Sequence, residues 1–378
     1  MATQVITVNG VVIEPEADLR DQDLSGMDLR GVSLSNADLR GANLANANLR
    51  WCVALGADFR GANLTNTIFD RAKLNSANFE NATLSGTDFT FATLSDANFP
   101  KCNLQGCNLT EANLFRTNLT EANLSNITVS AGTKFDWATL RNCDLRNSNI
   151  GVGSVENANF EGANLSGSNL SSWRMEGARF VRADLSNATI DGVIVENLDF
   201  DYANLTDCKI TNSTIHSRVT MRSVTAVRAD FRFTFFNIGS IFDGGNFRFA
   251  KFSGGNIRGA SFRSADCTEA RFIQVGCRSA KFQGACLSGA RFEDGNLDEA
   301  RLRDVDLTNA TLTRMTAREV QWLNTNISGA ILTEVEICGA ENWDERIDDG
   351  SARYFQVTGP DCYLYRLEPD DGAPTYPS

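Results

Sequence analysis

From Leu19 onward a leucine or phenylalanine returns at every fifth residue: Leu24, Leu29, Leu34, Leu39, Leu44 and Leu49, then, past a weak site at Ala54, from Phe59 to Leu124. A period of five fits neither the 3.6 of a helix nor the 2 of a strand, so both amphipathic readings fail. Two residues before each large apolar residue stands a small one, as at Ala37, Ala42, Ala47, Ala62, Ala77, Ala122, Ala163, Ala203, Ala260 and Ala290. If these two point inward and the other three outward, each pentad forms one side of a coil. Four sides then close a squared turn of about 20 residues.

The phase of the repeat shifts by one residue three times. The first phase ends near Val129; a second runs from Phe135 through Leu140, Leu145, Phe160 and Leu205 to Ile215; a short third covers Met221, Ala226, Phe231 and Phe236; a fourth runs from Phe242 to Ile337. An added residue must bulge outward or open a corner if the interior is to resume. Loops or kinks are therefore expected near 129–135, 217–221 and 237–242. Trp173 stands at a small site and is expected to distort the coil around it.

Ala37, Asp38 and Leu39, then Ala42, Asn43 and Leu44, resemble the motif of the pentapeptide repeat family: a small residue, Asp or Asn, Leu or Phe, and two variable positions. The resemblance covers about residues 17 to 341. It implies an all-β fold, a right-handed quadrilateral parallel β-helix with the Leu and Phe stacked inside. Packing supplies the reason for the small residue, since only a small side chain leaves room for a large one from each of four walls. Coils spaced like neighbouring strands, about 4.8 Å apart, would make roughly 16 turns a rod on the order of 75 Å long. No proline falls between Pro100 and Pro360, as expected where backbone N–H groups build ladders.

The expected organisation is a hairpin cap over residues 1–16, the solenoid over 17–340 and a cap or binding tail over 341–378. Residues 4 to 14 read as two short apolar strands joined at Asn9 and Gly10. The tail holds four of the six prolines, four of the five tyrosines and the acidic run "ENWDERIDDG".

Chemistry is conspicuous by its absence. One histidine, His216, cannot build a multi-histidine metal site, and neither a GxxxxGK[ST] nor a GxGxxG loop occurs. Acidic pairs such as Glu293 with Asp294 sit on a flat wall with no pocket to exclude water, so no enzyme, cofactor or metal is expected. Cys52, Cys102, Cys107, Cys143 and Cys208 fall at the small inward site, and Cys267 and Cys277 at the large one, and no two cysteines are one full coil apart, so free thiols are expected throughout. No apolar run reaches the length of a membrane span, and no basic stretch followed by an apolar run opens the chain. Those features point to the cytoplasm, or to a virus particle.

What remains is the outer surface. A net charge of −12 makes direct nucleic-acid binding an unexpected role. The charge is uneven: residues 1–200 carry an excess of about eight acids, 201–300 about three bases and 301–378 about seven acids. Asp18, Asp38 and Asp58 should stack on one wall beside Arg20, Arg40 and Arg60. In the irregular stretch 228–252, Phe233, Phe235 and Phe249 point outward by phase beside Arg228, Arg232 and Arg248, unless a bulged loop folds back over them. Exposed aromatics beside arginine favour a protein interface. The expected function is a noncatalytic rigid scaffold or protein-binding protein, self-assembled or part of a larger assembly such as a virus particle, with a partner of unknown identity. The alternative comes from the resemblance: some pentapeptide repeat proteins mimic B-form DNA and engage type II topoisomerases such as gyrase, protecting them from quinolones.

Overall fold

The computed structural model describes residues 6–8, 10–127, 129–130, 132–150, 153–341, 351–355, 357–358 and 364–365. Asn9 and the acidic run after Glu341 lie outside the described residues, as does most of the C-terminal segment. Contacts divide the chain into two units, Met1–Thr189 and Ile190–Ser378. Each is a β-solenoid, and no described residue is helical.

In the first unit each wall contributes one bridging residue per coil. Asp18 pairs with Asp38, Asp38 with Asp58, Asp58 with Asn78, and the parallel series continues to Arg179. The ladder bonds alternate direction around this residue: Leu39 N–H donates to Asp58 C=O at 2.8 Å, and Asp38 N–H donates back to Ala17 C=O at 2.9 Å. Between walls the chain turns on a left-handed residue, with φ of 56° at Asn36, 60° at Asn46 and 54° at Asn66. Asn, Asp and Gly fill many of these corners because they tolerate positive φ at least strain.

The interior follows from the order of large residues. Phe and Leu alternate from Phe59 to Leu104, so with four walls the phenylalanines occupy two opposite walls and the leucines the other two. Phe59, Phe79 and Phe99 stack with centroids 5.0 and 4.4 Å apart, and meet Phe69 and Phe89 edge to face across the interior. A hydroxyl or thiol is tolerated at the small site because it has an acceptor within reach. Thr67 Oγ1 donates to Leu44 C=O at 2.8 Å, and Cys102 Sγ to Phe79 C=O at 3.0 Å.

Trp173 corrects the sequence expectation. It is buried at 3% exposure, its indole N–H donates to Ile150 C=O, and Ser154 still bridges Arg174 beside it. The residue 20 positions earlier is Gly153; a Cβ there would lie 4.0 Å from the indole nitrogen and only 2.8 Å from Thr133 O. The glycine is required by the Thr133 carbonyl oxygen, while the indole lies at ordinary contact distance from it.

The bridging offset is 20 residues throughout most of both units and 21 at three places. It is 21 from Asn113, Asn118 and Asn123 to Lys134, Thr139 and Asp144, then 20 again from Lys134 to Ser154. In the second unit Asp199 pairs with Thr220 and Thr220 with Ile241, each at 21, before Ile241 returns to 20 with Ser261. The walls stay in file while the sequence phase moves. Two phenylalanine walls recur here, Phe242, Phe262 and Phe282 facing Phe252, Phe272 and Phe292.

At the N-terminus Thr7–Val8 pairs antiparallel with Val11–Val12. Beyond the last repeat, Arg353–Phe355 pairs parallel with residues 331–333, and Thr358 with Glu336, so the ladder outlasts the sequence motif.

Cysteines separate into two kinds. Eight are free, seven of them buried and Cys286 partly exposed. Burial pushes the thiols of Cys52, Cys107 and Cys143 up to about 12 and Cys102 to about 11. Cys338 is disulfide-bonded, against the expectation of free thiols throughout. That expectation rested on the spacing of coils, and Cys338 follows the last large inward residue of the repeat, Ile337, where the spacing rule ends. Among the eight free thiols only Cys286 is expected to react with a disulfide reagent at pH 8 in the native protein, the other seven following on denaturation; fast reaction of a buried one would contradict the packing.

Candidate interaction surface

Outward residues on one wall of the second unit form a single file. Lys209 pairs with Asp230, Asp230 with Lys251, Lys251 with Arg271, and Arg271 with Arg291, all parallel. Adjacent rungs are about 4.8 Å apart. Lys251, Arg271 and Arg291 are exposed and in direct register, an arrangement of like charges that destabilises neighbouring strands. Lys251 and Arg271 make no ion pair among the described residues. The nearest carboxylate to Arg291 is Glu293 at 4.0 Å, and Glu293 is held at 2.7 Å by Arg314.

The first unit shows what a neutralised file looks like. Arg20 donates to Asp18 from Nε at 2.8 Å and Nη2 at 2.5 Å, and Arg40 and Arg60 clasp Asp38 and Asp58 the same way. Hydrogen bonds from Arg20 hold the Asp18 carboxyl at about 2, and those from Arg40 hold Asp38 low. At Asp58 burial pulls upward, but the bonds from Arg60 outweigh it and the net shift is down. A carboxyl whose pKa is lower folded than unfolded contributes stability that is full above its unfolded pKa and lost as pH falls through the folded one. The melting temperature is therefore expected to hold down to about pH 4 and to drop between about pH 4 and 2. Circular dichroism melts at constant ionic strength check this; no fall in that window would show the clasps to be inert.

The residues singled out in the sequence divide between edges. Arg228 and Phe249, with φ of 57° and 60°, are corners on one edge of the basic wall, and Phe233, at 57°, is a corner on the other. Arg248 lies 5.7 Å from the Phe249 ring centroid. Phe235 is on the next wall, in file with Thr214 and Ile194, and Ile238 is exposed two residues beyond Phe236. Among the described residues no loop covers the rings: Phe233, Phe235 and Phe249 are 53%, 49% and 45% exposed. Phe233 lies across the backbone of Gly254, where a Cβ would come within 2.6 Å of its ring.

All three arginines are already paired, Arg248 the most loosely, to Asp266 at 3.5 Å. Arg228 binds Asp207 at 2.7 and 2.5 Å, and Arg232 binds Asp230 at 2.9 and 2.7 Å. Burial pulls the Asp230 carboxyl up, but the Arg232 bonds overcome it and hold it low. On this wall Lys251 and Arg271, which have no ion pair among the described residues, are cations that the sequence reading did not single out. Their 20-residue spacing, continued at Arg291, was the available signal. His216 is exposed on the neighbouring wall, and among the described residues no group of His, Cys, Asp or Glu is arranged to hold a metal.

Coils of about twenty residues, a leucine and phenylalanine interior and bridging Asp or Asn on four walls define a pentapeptide-repeat β-solenoid. The chain belongs to the pentapeptide repeat family: the family model "Pentapeptide repeats" matches residues 16–50, 55–90, 87–126, 154–180, 178–216, 240–275 and 277–314. Full-length QnrB1, described as a plasmid-mediated fluoroquinolone resistance protein, is 16% identical over 57% of this chain and 93% of its own, with a TM-score of 0.30. HetL, a pentapeptide repeat protein involved in heterocyst differentiation regulation in the cyanobacterium Nostoc sp. strain PCC 7120, is 23% identical over 76% of this chain and 90% of its own, with a TM-score of 0.14. Rfr23 of the cyanobacterium Cyanothece 51142 is 18% identical over 47% and 91%, with a TM-score of 0.11. No curated protein matches the sequence. No helix among the described residues is long and apolar enough to cross a membrane.

Proposed function

We propose that this chain is a noncatalytic rigid scaffold, and that the basic wall of the second unit binds a partner protein through an acidic face. One observation carries the reading: Lys251, Arg271 and Arg291 stand in cross-strand register, the first two with no ion pair among the described residues and Arg291 with Glu293 only at 4.0 Å, unlike the clasped arginines of the first unit. Like charges so placed weaken the fold locally, and an anionic partner relieves them. The exposed Phe233 and Phe249 at the two edges supply apolar anchors, for which aromatic residues are favoured. In this reading the hairpin of residues 1–16 and the segment 341–378 close the ends, and the protein acts in the cytoplasm or within a virus particle.

DNA mimicry of a type II topoisomerase substrate is the other reading, and nothing on these walls favours it. A mimic of duplex DNA needs continuous unneutralised negative charge, whereas Asp18, Asp38 and Asp58 are each clasped by arginine and the second unit presents cations.

The test is quantitative capture by the full chain from cells of its source, followed by binding measurements with the recovered protein. The double variant Lys251→Glu and Arg271→Glu is expected to weaken that binding more than tenfold, with the wild-type loss at high salt largely removed. Unchanged binding, recovery of gyrase with inhibited supercoiling, or equally tight binding of a single-stranded oligonucleotide would each overturn the proposal.

A further inference from the structure

The first unit has its own unexplained surface. One wall is marked by the parallel file Ser33, Val53, Lys73, Thr93, Asn113, Lys134, Ser154 and Arg174. Every large apolar residue exposed in this unit, among the described residues, lies on that wall or at its two corners. Trp51 and Phe91 are corners on one edge, Trp137 is a corner on the other, and Leu55 and Phe115 stand on the wall between.

These aromatics do nothing for the interior, and three of them strain the backbone. Trp51, Phe91 and Trp137 have φ of 56°, 54° and 60°. Bulky side chains rarely adopt that region; Gly31 fills the corner before Trp51, whereas Arg71 and Glu111 flank Phe91 and Arg116 precedes Trp137 in the same conformation. Large apolar side chains held outward at such corners, with no gain in interior packing, point to a surface kept for contact. Arginines accompany the rings, Arg71 4.4 Å from the Phe91 centroid and Arg116 5.5 Å from that of Phe115.

We infer that this wall packs face to face, in antiparallel sense, on the same wall of a second copy of the chain. The pattern of charge and size is self-complementary about the Phe91 rung. A twofold axis across the wall at that rung sets each edge against itself with heights reversed. Phe91 meets its own copy. One coil to either side, Arg71 faces Glu111, an exposed carboxylate with no ion pair among the described residues. Two coils out, on the other edge, Trp137 faces Gly56, beside which lies the short side chain of Asn36. Asp96 faces its own copy with its charge already met by Arg116 at 2.5 Å. The parallel arrangement is poorer, because it sets Phe91 against Asp96.

Sedimentation or light scattering of the full chain over a concentration series tests this without reference to any other partner, and so independently of the proposed basic wall. The wild type is expected to dimerise. Arg71→Glu and Glu111→Arg are each expected to weaken association at least tenfold, and the double variant Arg71→Glu with Glu111→Arg to restore it. Phe91→Asp is expected to give monomer with an unchanged circular dichroism spectrum. A wild type that stays monomeric to about 100 μM, above the range of stable interfaces, would overturn the inference. So would a dimer that survives Phe91→Asp, or single charge reversals whose effects the double variant does not reverse.

Discussion

Phe79→Ala is expected to lower the stability of the first unit by about 3–5 kcal/mol, the range for truncating a buried aromatic. Phe79 is fully buried between Phe59 at 5.0 Å and Phe99 at 4.4 Å and also meets Phe89 edge to face at 5.9 Å. No other group can collapse into its place, because every neighbouring inward position is itself fixed by the ladder above and below. The melting temperature of this unit should fall on the order of 10 °C. Phe79→Leu is expected to cost about 1 kcal/mol, since leucine fills the equivalent position of adjacent walls. Circular dichroism melts of the three proteins decide the matter. A loss under about 1 kcal/mol for the alanine variant would mean that the phenylalanine stacks are incidental.

Trp173→Ala is expected to cost a similar amount, about 3–5 kcal/mol, because it leaves a cavity where a buried indole stood and removes the donor that Ile150 C=O receives. The complementary change, Gly153→Ala, is expected to destabilise by about 1–3 kcal/mol through the 2.8 Å approach to the Thr133 carbonyl oxygen. If Trp173→Ala left the melt unchanged, the indole would be a tolerated passenger.

Trp173 also shows where reading a sequence one coil at a time stops being sufficient. The five-residue period identified the inward pairs, the 20-residue coil and the family, because interior placement depends only on counting. Whether an odd residue fits depends on the preceding coil, and the Ile150 carbonyl that receives the indole N–H is visible only when the sequence is folded into rows of twenty. The same rows reveal Lys251, Arg271 and Arg291, yet attention to local composition picked out Arg228 and Arg232, whose charges turn out to be clasped by Asp207 and Asp230. Phe233, Phe235 and Phe249 were placed outward by phase alone, and their exposure follows from it. Cys338 lay beyond reach for a different reason: its disulfide belongs to the end of the chain, where no period constrains what approaches.

The constant offset between rungs makes twenty residues the natural unit of length change in this protein. Removing residues 61–80 takes out one whole coil and rejoins Arg60 to Asn81, so that every later side chain of the first unit keeps its wall and its neighbours of the same kind. Removing ten turns everything above the cut by two walls: the phenylalanine sides stay phenylalanine, but the arginine clasps and the aromatic corners move to the opposite face. A loss or gain of coils can thus alter reach while leaving the outer pattern aligned, and a half-coil change redirects that pattern with hardly any disturbance to the interior.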